Sequence, residues 1–148
     1  MSITIRPIIP EDRAAWDTLY QGYAAFYGVA QTAAMRDTVW QWVHDTDHPV
    51  DGFVAAQADG TLVGLTHYRP FHSPLTAQAR GFLDDLFVDP DARGTGAAQA
   101  LIDAVAAEGR ARGWALIRWI TADDNYRARA VYDRMATRTP WITYDIKL

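Results

Sequence analysis

A mixed α/β fold, with a mostly antiparallel central sheet flanked by about four helices, is predicted by three features of the chain. Two helical patterns come first, strand-like alternation with a hairpin signal occupies residues 52–68, and from Arg80 the order runs strand, glycine-rich turn, helix, strand, helix, strand. An antiparallel meander followed by β-α-β units places helices on both faces of the sheet. A length of 148 residues, 49% of them hydrophobic and 22% charged, points to one globular domain over 1–148 and gives no support to disorder, collagen or coiled coil.

The elements follow in order. Ile3, Ile5 and Ile8 open a short strand interrupted by Pro7 and Pro10. Pro10-Glu11-Asp12 starts a helix with acids in its first turn, where they complement the helix dipole. Ala15, Leu19, Tyr23 and Phe26 keep near-helical spacing to about Tyr27, and Gly28 stops it. A second helix over 32–45 carries Met35, Val39, Trp42 and Val43 on one side and ends before His48-Pro49. Asp59-Gly60 between two strand-like runs is a hairpin turn. Residues 71–79 read as a loop and 80–88 as a strand stopped by Asp89-Pro90. A helix over 96–112, a strand over 114–121, a helix over 125–135 and a terminal strand over 141–148 complete the chain.

Composition narrows the chemistry. The absence of cysteine excludes disulfides, thiolate metal sites and a cysteine acyl-enzyme, and neither Ser2 nor Ser73 lies in a nucleophile elbow. Lys147 is the only lysine, which removes a Walker A loop and a Schiff-base lysine in the body of the chain. A net charge of -4 argues against a nucleic-acid binder and favours cationic small partners. There is no apolar run of membrane-spanning length and no signal-peptide pattern, since Met1 to Arg6 alternate, so a cytoplasmic protein is expected. His44 and His48, four apart, have no convincing third ligand, and no metal is expected.

The strongest local signal is Arg93-Gly94-Thr95-Gly96-Ala97-Ala98 between a strand end and a helix start. Glycines let the backbone approach a ligand, and free N–H groups of the first helical turn suit a pyrophosphate, although an ordinary tight turn has the same composition. A dinucleotide fold of the Rossmann type is disfavoured: Gln99 stands where its third glycine belongs, and the next strand ends without an acid.

Arg93-x-x-Gly96-x-Ala98 resembles the Arg/Gln-x-x-Gly-x-Gly/Ala signature of the GNAT superfamily of acyl-CoA N-acyltransferases. Asn125, Ala128 and Tyr132 resemble that family's Asn-x-x-Ala-x-x-x-Tyr helix, about 30 residues on, and the order of elements is similar over essentially the whole chain. The resemblance implies that acetyl-CoA is bound by backbone groups of Arg93, Gly94, Thr95, Gly96, Ala97 and Ala98, with its pantetheine against Leu86, Phe87 and Val88 and in contact with Asn125. It implies Tyr132 as general acid for the departing thiolate, a role a phenol with a reference pKa near 10 can fill at neutral pH. The family's Gly-Phe after this helix is replaced by Ala136-Thr137.

Phe82-Leu83-Asp84-Asp85-Leu86-Phe87-Val88 resembles the Leu-Glu-Asp-Phe-Phe-Val stretch of diamine acetyltransferases, whose acids lie at the acceptor site. By that likeness Asp84 and Asp85 bind an ammonium or relay its proton through water. Strand alternation predicts that only one of them faces the cleft. His67, Tyr68 and Arg69 are candidates for the acceptor pocket, as are Trp40 and Trp119 for its channel. The run 138–144 is similar to the fungal histone, polyamine and D-amino-acid acetyltransferase branch. The expected reaction is acetyl transfer to a primary amine by direct attack in a ternary complex. Two other readings stand beside it: a non-catalytic acyl-CoA-binding regulatory module, and a protein lysine or N-terminal acetyltransferase. The apolar face of the terminal strand predicts a homodimer.

Overall fold

The structure, a computed structural model, describes residues 2–148; Met1, where the alternation in sequence begins, lies outside them. In chain order the elements are β1 (Ile3–Pro7), α1 (Arg13–Phe26) preceded by a 3-10 turn at Pro10–Asp12, α2 (Ala33–His44), β2 (Asp51–Gln57), β3 (Leu62–Ser73), β4 (Gln78–Val88), α3 (Ala97–Arg112), β5 (Ile117–Arg118) and α4 (Tyr126–Met135). The five strands form one sheet in sequential order, antiparallel from β1 to β4 and parallel between β4 and β5.

Alternation along β2 sends neighbouring side chains to opposite layers. Val54 and Ala56 join Leu65 under α1, against the fully buried Trp16 and Leu19, with Val39 and Trp40 of α2 packed on the same cluster. Ala55 and Val63 face the other way, against Ala97 and Leu101 of α3. Truncating Trp16 to alanine would cost about 3–5 kcal/mol, the range for a large buried aromatic.

Four local expectations are corrected. Residues 71–79 are not a loop: β3 and β4 run on as a long hairpin, paired from Ser73–Gln78 inwards, and only Pro74 to Ala77 turn. The diagonal cross-strand contact of the Phe71 and Phe82 rings, centroids 6.1 Å apart, outweighs the Pro70 and Pro74 signals. The packing side of α2 is Arg36, Val39 and Trp40, while Met35 and Trp42 are exposed; buried Arg36 binds Asp17 of α1 at 2.8 Å. The predicted strand over 114–121 shrinks to Ile117–Arg118, because the chain leaves β4 after pairing with Gly81 and Phe82. Residues 141–148 form no strand, and Trp141, Ile142, Tyr144, Ile146 and Leu148 all lie in solvent.

Candidate active site

The parting of β4 and β5 creates the first cleft. Leu86, Phe87 and Val88 pair with β3 on one side, whereas β5 has ended before reaching them on the other. A free strand edge presents N–H and C=O groups to any extended chain laid along it. A cleft of about 760 Å³ opens there, walled by Leu86, Phe87 and Val88, by the α3 turn, and by Asn125, Ala128 and Tyr132 of the α4 region.

At the turn, Gly94 and Gly96 both adopt φ of +82°, a left-handed conformation that glycine takes without strain, and a Cβ at either would meet nothing within 4 Å. Gly96 is the N-cap of α3, so the first-turn N–H groups, which have no partner within the helix, open towards the cleft without a side chain over them. Arg93, Gly94, Gly96, Ala97 and Ala98 line the cleft; Thr95 does not, and its hydroxyl instead donates to the Ala92 carbonyl at 2.7 Å, closing the turn. Arg93, Arg127 and Arg134 add three guanidinium groups to the wall, alongside one acid, Asp124. Backbone amides plus guanidiniums are a donor set for phosphate groups.

Tyr132 reaches this cleft from α4, its ring edge-on to Trp119 at 5.4 Å. Burial, with Tyr27 nearby, pushes its phenol up to about 12, so it is a proton donor throughout the neutral range. Asn125 caps α4, accepting from Ala128 N at 3.5 Å and donating to Thr121 Oγ1 at 3.3 Å.

A second cavity, about 450 Å³, adjoins the first, with Tyr27 on the wall of both. Tyr20, Tyr23 and Tyr27 of the α1 face line it together with Asp84 and Asp85, and no basic side chain stands among its described lining residues. That both acids face one cavity corrects the expectation from strand alternation. Between His67 and Tyr68 the register shifts: His67 pairs with Asp85 and Tyr68 with Leu83, which leaves Asp84 as the extra residue of a β-bulge. A bulge breaks the alternation and re-aims a side chain.

The two carboxylates differ in surroundings. Asp85 is mostly buried; burial alone raises its pKa, but hydrogen bonds from His67 and the hydroxyls of Tyr20 and Tyr23 win and hold it below the ordinary value. Asp84 is partly exposed and pairs with Arg69 at 3.0 Å, yet desolvation lifts its pKa above the ordinary value. Tyr20 and Tyr23 are pushed far up by burial and by Asp85, so both stay neutral donors.

The model of the acetyltransferase (GNAT) family matches residues 16–136. The chain belongs to this family. It is an acetyl-CoA-dependent N-acetyltransferase by that membership. Among its relatives is the D-amino-acid N-acetyltransferase HPA3 of Saccharomyces cerevisiae, 25% identical over 143 residues, which cover 96% of this chain and 89% of the relative. An uncharacterized N-acetyltransferase of Bacillus subtilis, YhfO, is 26% identical over 89% of this chain and 87% of its own. The crystallised aminoglycoside acetyltransferase AAC(6')-Iy, in complex with a bisubstrate analogue, has the same fold, with a TM-score of 0.87 at 20% identity over 100% of this chain and 99% of that one.

Several residues that line the second cavity escape a sequence reading. Tyr20, Tyr23 and Tyr27 follow i, i+3, i+7 spacing, the available signal, but phenols on a helix stripe read equally as core. His67 is buried behind Asp85, Tyr68 is buried and stacks on Phe53, and Arg69 holds Asp84 rather than the cavity wall. Trp40 packs on Trp16 and Trp119 on Tyr132, and neither lines either of the two cavities described above. His44 packs at a tilt against Trp40, and His48 stacks on Trp42. No group of three or more His, Cys, Asp or Glu among the described residues could hold a metal.

Proposed function

We propose that this enzyme moves the acetyl group of acetyl-CoA to a cationic primary amine, a small amine or diamine, held in the cavity of Asp84 and Asp85. The observation that carries this reading is the contrast between the two walls: arginines and open amides line the coenzyme cleft, carboxylates and tyrosines the adjoining cavity. An ammonium gains a charge-assisted hydrogen bond from a carboxylate and attraction from the tyrosine faces. A free amino acid carries its own carboxylate, and a cavity of two acids without a basic side chain opposes it. The D-amino-acid relative thus supports the amine chemistry more than the particular acceptor.

Bound acetyl-CoA supplies the thioester carbonyl. In this reading Asp85 anchors the acceptor, and Asp84, with its raised pKa, accepts the ammonium proton through water. The freed amine attacks the carbonyl carbon; as the C–N bond forms and the C–S bond breaks, the Tyr132 phenol protonates the leaving sulfur, and the second proton shed by the new amide nitrogen returns through water to the Tyr132 phenolate. With no cysteine in the chain, direct transfer needs no acyl-enzyme. The test is release of free coenzyme A against a panel of diamines, monoamines, D-amino acids and lysine peptides. Amine-dependent release led by diamines is expected; release led by peptides or amino acids overturns the acceptor assignment, and none at all leaves a binding module.

The working unit is a homodimer in which the 141–148 arm of each copy joins the sheet of the other. β5 bears no strand on its outer side, Ile120 beside it is exposed, and α4 is only partly buried, while the arm carries alternating apolar residues that lie in solvent. The expected compartment is the cytoplasm; no helix among the described residues is long and apolar enough to cross a membrane.

A further inference from the structure

Behind Asp85, away from the cavity, lies a chain of buried hydrogen bonds that the catalytic scheme does not use. Trp16 Nε1–H donates to His67 Nε2 at 3.0 Å, and His67 Nδ1 stands 2.8 Å from Asp85 Oδ2. Trp16 is 0% and His67 1% exposed, and neither lines a cavity. An indole N–H only donates, so Nε2 must accept. A neutral imidazole then carries its one proton on Nδ1, where its partner is the Asp85 carboxylate.

The same aspartate is pinned from two further directions. Tyr20 donates its hydroxyl to Asp85 Oδ2 at 2.8 Å, and Thr66 Oγ1 donates to the Asp85 backbone carbonyl at 2.7 Å. His67 is also the residue opposite Asp85 in the strand register, at the step where the bulge begins. A bulge relaxes backbone alternation, and a carboxylate on it needs an external hold to keep one orientation. About four acceptor sites exist on a carboxylate. His67 and Tyr20 take two of these, both on Oδ2, and leave acceptor sites for a donor arriving from the cavity.

We propose that Trp16 and His67 are positioning residues for the acceptor site: by occupying Nε2, Trp16 makes His67 a fixed Nδ1–H donor, which orients Asp85 towards the incoming ammonium. The acceptor role of Asp85 is taken from the proposed function above. His67 touches no substrate and acts through Asp85 alone. A histidine fully engaged at both nitrogens has no site left to take up the acceptor's proton, which leaves that task to Asp84.

The test has two parts. In the ¹⁵N-labelled wild-type protein at pH 7, long-range proton–nitrogen correlations of the His67 ring are expected to show a proton on Nδ1 and none on Nε2; a proton on Nε2 overturns the proposal. In steady-state kinetics, His67→Leu is expected to raise the acceptor KM by about tenfold or more, with coenzyme affinity unchanged. His67→Asn, whose amide nitrogen sits as many bonds from the backbone as Nδ1, is expected to restore most of that loss. A folded His67→Leu enzyme with the wild-type acceptor KM, or one no worse than His67→Asn, overturns the proposal as well. If His67→Leu does not fold, the ring spectrum and His67→Asn decide. If the wild type acetylates no amine, the functional reading has failed, and the ring spectrum still judges the Trp16–His67–Asp85 geometry.

Discussion

In the proposed mechanism Tyr132 and the two aspartates divide the chemistry by environment. A phenol raised to about 12 and placed on the coenzyme cleft keeps its proton at neutral pH and is available there as a donor. Tyr132→Phe is therefore expected to lower kcat by roughly 10²–10⁴ with little change in coenzyme affinity, measured by turnover and by direct binding. Near-normal turnover would reduce Tyr132 to a partner of Trp119. Asp84 and Asp85 have pKa values pushed in opposite directions on one cavity, the pattern by which paired carboxylates acquire different tasks. Because both line the cavity, both Asp84→Asn and Asp85→Asn are expected to lower kcat/KM for diamines. The Asp85 variant should lose at least tenfold, in line with about 1.5–3 kcal/mol for a hydrogen bond to a charged group. Its loss should appear in KM and be smaller for monoamines with neutral tails, whereas the Asp84 loss should appear in kcat. Wild-type kinetics in both variants across the panel would make the acids structural.

At the scale of elements, two turns bear the load of positioning. The α3 turn depends on Gly94 and Gly96 at φ +82°, and since a Cβ at Gly96 would meet no neighbour, Gly96→Val acts through backbone strain alone. Its expected outcome is a coenzyme Kd raised tenfold or more, about 1.4 kcal/mol, in a protein that still folds; an unchanged Kd would take the anion site away from this turn. At the other end of the chain, buried Asp12 ties β1 to α1 through Arg6, at 2.7 and 2.9 Å, and accepts from the Ile9 amide at 2.9 Å. Burial raises its pKa, but these bonds outweigh it and leave the carboxyl below its ordinary value. A carboxyl depressed in the folded state stabilises fully above its unfolded value near 3.9, and that contribution is lost as pH falls through the folded value. The urea midpoint of the wild type should therefore drop more steeply below about pH 4 than that of Asp12→Asn; parallel curves would show that the Arg6–Asp12 pair adds no stability. These turns were legible in sequence, as glycines between a strand and a helix and as acids after Pro10, because turn chemistry is local. The bulge at Asp84 was not: it arises from pairing between β3 and β4, and nothing within the Leu83-Asp84-Asp85 stretch marks the extra residue. His67 was a candidate for the pocket wall, but its place behind Asp85 was not legible for a similar reason, since its partners Trp16 and Asp85 lie 51 and 18 residues away.

For the whole molecule, the layered arrangement followed from hydrophobic periods, and the least covered elements gather at one side. β5 is two residues long, α4 is only partly buried, and the arm after it finds no place on its own sheet. The alternation of Ile142, Tyr144, Ile146 and Leu148 reads correctly as a strand pattern, but a strand forms only where a neighbour offers a ladder. In the proposed dimer a second copy would offer one at β5. Five large apolar side chains, Trp141 included, remain in solvent on each chain; at about 150–200 Å² apiece, covering them in two chains would remove on the order of 1,500–2,000 Å², the size of a stable specific interface. Isologous exchange of the two arms would satisfy both open edges at once and leave neither free to recruit further copies. Light scattering at micromolar concentration is thus expected to give a mass about twice 16.5 kDa. Removing residues 140–148, or making the double change Ile142→Asp and Ile146→Asp, should yield a monomer with its β1–β4 core intact by circular dichroism. The monomer should also lose turnover more than coenzyme binding, because Ile120, Thr121 and Ala122, on the wall of the acceptor cavity, are the backbone next to which the partner's arm would lie. A wild-type protein that remains a 16.5 kDa species at every concentration tested would place the arm elsewhere and leave the acceptor cavity the property of a single chain.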